Sequence, residues 1–159
     1  MLTTAIGKVT SGEDLTMAEM AEVIDLVMSG QCKDDQIAAL LLKLREKGET
    51  AAEVAGAARA MRKHMTTITS ERQDLVDTCG TGGDGSGTFN ISTAAAIVAA
   101  AAGISVAKHG NRKITSKTGS ADVLVELGVN IEAPVAVMEQ EMNEVGICFM
   151  FAPLFHPSM

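Results

Sequence analysis

Two short segments of the chain carry residue types that bind phosphate. The first, residues 80–87, is dominated by glycine, and the second, residues 108–117, contains four Lys or Arg residues and no acid. Backbone amides without a neighbouring Cβ can approach a phosphate oxygen closely, and a helix that follows adds further amide donors. Clustered Lys and Arg match the charge of a diphosphate. The sequence therefore predicts that the two segments bind an anionic small ligand.

The glycine segment also satisfies a dinucleotide pattern, which must be weighed against this prediction. Gly80 to Gly85 reads G-x-G-x-x-G, but the loop continues to Asn90 before a helix can begin. A dinucleotide site also needs an acid about 20 residues further on. No Asp or Glu occurs between Gly85 and Ala121, so a nicotinamide or flavin site is disfavoured.

The elements around these segments predict a parallel sheet. Leu75–Thr78 is a strand candidate, Ser92 begins an Ala-rich helix closed by Gly103, and Ile104–Ala107 is the next strand candidate. A strand, helix and strand in this order form a parallel pair with a right-handed crossover. Because ligands sit outside the carboxyl ends of such strands, both segments should face one site.

The remainder of the chain reads as two further helices, a strand and a helical N-terminal region. Ser120 can cap one helix, Pro134 suits the first turn of another, and Ile147–Phe151 is a third strand candidate. In residues 1–66, Thr16–Glu19 and Thr50–Glu53 have the capping-box spacing, which predicts that helices start there. We expect an all-helical region followed by an α/β region.

Composition limits the class of protein. A net charge of −7 argues against nucleic acid and anionic membranes as partners. Cys32, Cys79 and Cys148 lack the spacings of zinc sites or disulfide scaffolds, which favours reduced thiols. The first residues do not resemble a secretory signal, and the longest apolar run, Ala94–Ala102, is too short to span a bilayer. We expect a soluble cytoplasmic protein.

Individual residues in the two segments have more than one possible role. Asn90 can direct its amide at a ribose or diphosphate oxygen, and the Ser92 hydroxyl can either cap its helix or donate an oxygen to Mg²⁺. A lone His109 is more often structural than catalytic, but it lies beside Lys108 and Asn111.

Four motifs in order resemble the anthranilate phosphoribosyltransferase family. They are Asp77-Thr-Cys-Gly-Thr-Gly-Gly-Asp84-Gly, Asn90-Ile-Ser-Thr93, Lys108-His-Gly-Asn-Arg112 and Ser120-Ala-Asp-Val-Leu. The resemblance covers essentially the whole chain. It implies a pentosyltransferase of tryptophan biosynthesis that uses Mg²⁺ and forms homodimers. It also implies a helical dimerisation domain at residues 1–68 and, at residues 72–159, the first part of a parallel-sheet α/β domain of the nucleoside phosphorylase and phosphoribosyltransferase type.

The resemblance also implies roles for individual residues. Lys108 and His109 are the candidate catalytic residues, Ser92 is the candidate metal ligand, and Gly80 and Asn111 would contact anthranilate. The candidate ligands of 5-phosphoribosyl 1-diphosphate are Gly80, Gly83, Asp84, Thr88, Asn90, Ile91, Ser92, Thr93, Lys108, His109, Gly110, Asn111, Arg112, Lys113, Ser116 and Ser120. Residues 113–115 depart from the small residues expected after the Asn-Arg pair.

The implied reaction is attack by the anthranilate amine on the anomeric carbon of the ribose as diphosphate leaves. Lys108, the loop amides and Mg²⁺ would stabilise the leaving group. Family members are about twice as long as this chain, and an Arg that grips anthranilate and an Asp-Glu metal pair would lie beyond Met159. We therefore expect a shortened form that binds phosphoribosyl diphosphate weakly and turns over little.

Two other functions stay open from the sequence. A pyrimidine nucleoside phosphorylase has a similar architecture and a Lys-rich loop. A helical dimerisation module joined to an anion-binding stub would need no catalysis at all.

Overall fold

The computed structural model describes residues 1–80, 88–113 and 118–158, which form two compact units. One unit contains Met1–Met65 and the last residues of the chain from His156, and the other contains Thr66–Phe155. Within the described residues, no helix combines the length and the apolar character needed to cross a membrane. An all-helical part followed by an α/β part with a parallel sheet is the predicted fold class, and it is confirmed.

The first unit is a bundle of four helices. They are α1 (Leu2–Thr10), α2 (Met17–Met28), α3 (Asp34–Lys47) and α4 (Ala51–His64). Both predicted capping boxes are present, so α2 and α4 begin where the sequence indicated. The helices enclose one apolar cluster, made of Leu2, Ala5, Val9, Leu15, Met20, Val23, Leu40 and Leu44.

The helices α2 and α4 pack closely because α4 has a glycine at the contact. A Cβ added to Gly56 would lie only 2.9 Å from the Cβ of Met20 and closer still to the Met17 carbonyl oxygen. Any larger residue at this position would force the two helices apart. The bundle therefore requires glycine here for close packing and not for backbone freedom.

A buried carboxylate, Glu53, connects several segments of the bundle. Its side chain is fully buried and accepts hydrogen bonds from the backbone amides of Leu15 (2.9 Å) and Thr50 (2.8 Å) and from Lys47 Nζ (3.0 Å). Burial alone would raise the pKa of Glu53, but these hydrogen bonds outweigh it and lower the pKa to about 2. The ionised form of Glu53 therefore stabilises the folded bundle.

We expect Glu53→Gln to lower the free energy of unfolding by about 2 kcal/mol at pH 7, because a buried charge-assisted network loses its anion. Since the pKa is lowered on folding, this contribution is complete above about pH 5 and declines as pH falls towards 2. Urea denaturation followed by circular dichroism at several pH values measures it. Glu46→Gln, which breaks an exposed pair with Lys43, should change stability by less than about 0.5 kcal/mol. Equal losses for the two variants would contradict the assigned role of Glu53.

The second unit is a two-stranded parallel sheet with helices around it. Its elements are α5 (Ile91–Ala101), β1 (Val106–Gly110), α6 (Ser120–Glu126), α7 (Val135–Glu144), β2 (Ile147–Phe151) and α8 (Ala152–Phe155). Strand β1 pairs with β2 so that Ala107 lies beside Cys148 and Lys108 beside Phe149. The Ala107 face packs against α7 residues such as Met138, whereas Phe149 packs with Leu124 of α6.

The predicted strands pair in parallel, as expected, but not all of their bounds are correct. The predicted strand Ile147–Phe151 is confirmed. Strand β1 begins later than predicted and extends through Lys108 to Gly110, because the parallel register with β2 continues there. Leu75–Thr78 forms only an isolated bridge from Val76 to Val106. The backbone pairing ends there because the Asp77 carboxylate, and not a backbone carbonyl, accepts the hydrogen bond of the His109 amide in β1.

The predicted helix starts are also shifted by one or two residues. The N-cap of α5 is Asn90, and not Ser92, because the Asn90 side-chain oxygen accepts the Thr93 amide. The N-cap of α6 is Gly119, and Ser120 is the first helical residue. Pro134 immediately precedes α7 and occupies its N-cap position.

Candidate functional site

The candidate site is organised around a buried lysine at the centre of β1. The Lys108 side chain is 3% exposed, and its ammonium donates to Ser92 Oγ at 3.2 Å and to Thr78 Oγ1 at 3.5 Å. Both hydroxyl hydrogens are already used, because Ser92 Oγ donates to Asn90 Oδ1 and Thr78 Oγ1 donates to the Ser92 carbonyl. The oxygen lone pairs therefore face the ammonium, which is solvated by neutral groups.

The charge of Lys108 has no ion-pair partner within the described part of the chain. Burial lowers the pKa of Lys108, and the nearby Asp77 carboxylate opposes that shift. A cation held by hydroxyl groups, with no carboxylate in ion-pair contact, can bind an anion without first breaking an ion pair. This arrangement fits the predicted anion site.

The start of α5 lies next to this cation. The Asn90 side-chain oxygen accepts from Thr93 N (3.2 Å), Thr93 Oγ1 (2.6 Å) and Ser92 Oγ (3.2 Å). Thus the Asn90 oxygen serves the helix start, and only its NH₂ group could reach a ligand in the way the sequence suggested. The positive end of the α5 dipole and the Lys108 ammonium lie on the same side of the unit and both favour an anion.

Asp77 accepts hydrogen bonds from two backbone amides near the candidate site and was not among the predicted site residues. Its Oδ1 accepts from the backbone amide of Cys79, at 2.9 Å, just before the glycine segment. The same oxygen accepts from the amide of His109, at 3.2 Å, in β1. Burial, followed by the neighbouring Asp77, raises the pKa of Cys79, so its thiol stays protonated near neutral pH. Asp77 therefore links the backbone at Cys79 to the backbone of β1 at His109.

The cationic segment is held at its other end by Asp122. The Asp122 Oδ2 accepts from the amides of Gly119 (2.8 Å) and Lys113 (2.9 Å), which lowers its pKa. Arg112, a predicted ligand, lies 3.5 Å from Asp122 and its guanidinium is 5.7 Å from the centre of the Phe151 ring. Its charge is thus partly compensated, unlike that of Lys108.

Glycine is required where β1 passes under α6. A Cβ at Gly110 would lie 2.6 Å from the Phe149 ring and would overlap the Ser120 hydroxyl. Ser120 Oγ in turn contacts the Asn111 carbonyl oxygen at 3.4 Å, and the Asn111 side-chain oxygen accepts from the Arg112 amide. Three of the predicted ligands therefore lie in contact at the end of β1: Gly110, Asn111 and Ser120.

The described residues bring together only part of the predicted site. Lys108, Ser92, Asn90 and Thr93 form one connected group, to which Thr78 and Asp77 are added by the structure. The following predicted residues are exposed or half-buried at its edge: Gly80, Thr88, Ile91, His109 and Lys113. Gly83, Asp84 and Ser116 lie outside the described residues.

The residues that sequence reasoning missed are the acids that bind backbone amides. An Asp two residues before a turn amide is a common signal, and Asp77 shows it with Cys79. Asp122 lies three residues after the cap Gly119, the spacing at which an acid returns to the helix start. Thr78 had no such signal, because its contact with Lys108 depends on the pairing of distant segments.

Comparison with known families assigns the chain. A model described as the glycosyl transferase family helical bundle domain matches residues 3–65. The model of the a/b domain of the glycosyl transferase family matches residues 72–159. The chain belongs to this glycosyl transferase family.

Curated relatives within the family confirm the resemblance that the motifs predicted. The anthranilate phosphoribosyltransferase of Rhodopirellula baltica is 56% identical over 155 residues, which are 98% of this chain and 45% of the relative. The anthranilate phosphoribosyltransferase of Geobacillus stearothermophilus is 53% identical over the whole chain and 47% of its own length. This chain therefore spans about half the length of the curated relatives it matches.

Solved structures agree with this assignment. Anthranilate phosphoribosyltransferase from Thermus thermophilus is 46% identical and superposes with a TM-score of 0.89, over 98% of this chain and 47% of that one. The enzyme from Saccharomyces cerevisiae, solved in complex with PRPP and Mg, is 28% identical with a TM-score of 0.87 over 99% of this chain and 48% of that one.

The bridging role of Asp77 leads to a prediction about anion binding. Asp77→Ala removes both amide hydrogen bonds and should weaken binding of inorganic diphosphate at least about tenfold, because the two segments are no longer held together. Asp77→Asn keeps an acceptor oxygen and removes a negative charge near Lys108, so it should bind diphosphate as well as the unchanged chain or better. Isothermal titration calorimetry measures both. Equal weakening by the two variants would show that the charge of Asp77 matters and not its hydrogen bonds.

Proposed function

We propose that this chain carries the phosphoribosyl diphosphate-binding part of an anthranilate phosphoribosyltransferase, a pentosyltransferase that joins the amine of anthranilate to the ribose. The observation that carries the proposal is the buried Lys108 ammonium, held by the hydroxyl groups of Thr78 and of Ser92 at the start of α5. The relatives' activity and the PRPP complex of the yeast enzyme support it. Because the chain spans only about half of those relatives, activity of the chain itself remains a proposal.

In this proposal the described residues bind and orient the diphosphate. Lys108 and the backbone amides at the start of α5 offer positive charge to the leaving group as the bond from the anomeric carbon to oxygen breaks. Asp77 links Cys79, just before the glycine segment, to His109 of β1. The anthranilate amine forms the new bond to carbon and then loses a proton to water. An aromatic amine is mostly unprotonated at neutral pH, so positioning matters more than a strong base.

We extend the proposal to Mg²⁺, which is present with PRPP in the yeast structure. Magnesium usually keeps several waters and is held by one or two protein oxygens together with substrate phosphates. Ser92 Oγ would fit as one such oxygen, since a hydroxyl oxygen has two lone pairs and the Lys108 ammonium occupies one of them. The described residues contain no cluster of three or more metal-binding side chains, so substrate oxygens would complete the set. When bound, the ion would neutralise part of the diphosphate charge.

The remaining predicted roles belong to the same proposal. Gly80 and Asn111 would contact anthranilate, and His109 would lie along its path. The full set of phosphoribosyl diphosphate ligands named from the sequence stays a prediction, including Gly83, Asp84 and Ser116. We also propose that the helical unit forms a homodimer and that the protein acts in the cytoplasm.

The proposal predicts that Lys108→Met weakens the binding of phosphoribosyl diphosphate. Methionine keeps the apolar stem but removes the charge, so the dissociation constant in the presence of Mg²⁺ should rise at least about tenfold. The fold should be unchanged or stabilised, because a buried charge without an ion-pair partner is costly. Calorimetric titration gives the affinity, and thermal unfolding gives the stability.

The matched control is Lys43→Met, which removes an exposed cation in the helical unit and should leave binding unchanged. Anthranilate fluorescence follows consumption of the second substrate in the same samples. Phosphate-dependent cleavage of a pyrimidine nucleoside without anthranilate consumption would favour a nucleoside phosphorylase instead. Binding that Lys108→Met does not affect would remove the basis of the proposal.

A further inference from the structure

The residues before the glycine segment follow β1 only briefly. Ala107 in β1 donates its amide to the Val76 carbonyl at 3.0 Å. Two residues further along β1, the His109 amide donates to the Asp77 side chain at 3.2 Å. Beyond Val76, the described hydrogen bonds from these residues to their neighbours are made through side chains. The position of Thr78 is therefore determined by what its own side chain contacts.

The Thr78 hydroxyl makes two hydrogen bonds, one as donor and one as acceptor. It donates to the Ser92 carbonyl, in the first turn of α5, at 2.8 Å. It accepts from the Lys108 ammonium, in β1, at 3.5 Å. Because Lys108 also donates to the Ser92 hydroxyl at 3.2 Å, three hydrogen bonds close a ring through these residues. The ring links the start of α5, strand β1 and the residues before the glycine segment.

Threonine is well suited to hold a hydroxyl group in one direction. Its branched Cβ restricts the side chain to few rotamers. Donation to the Ser92 carbonyl then fixes the hydroxyl hydrogen of Thr78, so the lone pairs lie on the other sides of the oxygen, where the ammonium is found. At 3.5 Å, the hydrogen bond from the ammonium is longer than the ideal and correspondingly weak. Its main effect is therefore on the direction of the ammonium group.

The Lys108 ammonium has one N–H group more than these two acceptors use. A lysine ammonium carries three N–H donors. Within residues 1–80, 88–113 and 118–158, its hydrogen bonds go to Ser92 Oγ and Thr78 Oγ1. The three N–H groups rotate together about the Cε–Nζ bond, so two occupied directions determine the third. The buried cation thus has one N–H group whose direction is set by two hydroxyl groups.

We infer that Thr78 is a positioning residue of the anion site, which together with Ser92 directs the third N–H group of Lys108 at an oxygen of the bound anion. This role deepens the proposed function and rests on it for the identity of the anion. A threonine that only filled space could be replaced by valine, which has nearly the same shape. A threonine that orients a donor needs its oxygen, so serine can replace it and valine cannot.

The direction of the donor matters because Lys108 is buried. An exposed lysine turns freely towards an anion, whereas the side chain of Lys108 is only 3% exposed and cannot rearrange around a ligand. Charge-assisted hydrogen bonds to phosphate weaken when the N–H group does not point at the oxygen. With only the Ser92 hydroxyl left as an acceptor, the ammonium would rotate about that one hydrogen bond. Its alignment with the anion would then decline although its charge is unchanged.

The first measurement is NMR of the lysine ammonium groups and needs no ligand. Burial and hydrogen bonding slow the exchange of ammonium hydrogens with water, and Lys108→Met identifies the Lys108 resonance by removing it. We expect Thr78→Val to shift this resonance and to speed its exchange at least about fivefold, because one acceptor is lost. Thr78→Ser should restore both properties. An unchanged resonance in Thr78→Val would overturn the inference, and so would exchange in the unchanged chain as fast as that of exposed lysines.

The second measurement is calorimetric titration with inorganic diphosphate. Thr78→Val should raise the dissociation constant about tenfold, because the N–H group that binds the anion is no longer aligned. Thr78→Ser should stay within about threefold of the unchanged chain, since it keeps the oxygen. Equal weakening by the two variants would show that Thr78 acts by filling space and would contradict its role in orienting Lys108.

The matched control is Thr10→Val, which removes a hydroxyl group that donates to the Ile6 carbonyl at 2.7 Å in α1. It deletes a hydrogen bond of the same kind in the helical unit, so neither the Lys108 resonance nor diphosphate binding should change. Circular dichroism spectra and thermal unfolding check that every variant is folded. If the unchanged chain does not bind diphosphate, the proposed function fails, and the Lys108 resonance still decides whether Thr78 orients the ammonium.

Discussion

The burial of a single ammonium group within the α/β unit sets the requirements for the structure around it. Taking a lysine out of water is costly unless its N–H groups find acceptors. Strand β1 leaves Lys108 no alternative position, because the parallel register with β2 places it beside Phe149 on a covered face. Thr78 and Ser92 supply neutral acceptors, and their own hydrogens are engaged elsewhere. The charge is therefore stabilised enough to remain buried but is not cancelled.

The acids in this unit hold the backbone and leave the cation free for an anion. Asp77 accepts two amides, and Asp122 accepts two others, so each carboxylate is satisfied by the backbone. A carboxylate in direct contact with Lys108 would give the ammonium a permanent partner that an incoming phosphate would have to displace. Asp77 and Asp122 instead hold backbone amides near Lys108 without forming an ion pair with it, so its positive charge is not neutralised by direct contact. Arg112, which does contact Asp122, shows the other outcome.

The parts of the structure that the sequence predicted correctly depend on local chemistry. The starts of α2 and α4 follow from the two capping boxes, which need only residues three apart. Strand β2 follows from an apolar run between Gly146 and a short helix. The end of β1 and the role of Thr78 could not be predicted in the same way, because both depend on which distant segments pair. Of the two roles open to Ser92, the helix cap belongs instead to Asn90, whose side-chain oxygen accepts the Thr93 amide.

The composition of α5 differs between its first turn and the rest of the helix. Its start is polar, because the side chains of Ser92 and Thr93 both donate hydrogen bonds to Asn90. Ser92 also accepts a hydrogen bond from the Lys108 ammonium. The following turns contain only Ala, Ile and Val, which have nothing polar to offer a ligand or water. A helix that served only as a surface crossover would gain solubility from charges on its outer side. Their absence means that the outer side of α5 suits apolar neighbours, while its first turn is polar and lies next to the Lys108 ammonium. One helix therefore joins the two properties of the unit, an apolar outer side and a polar first turn that contacts Lys108.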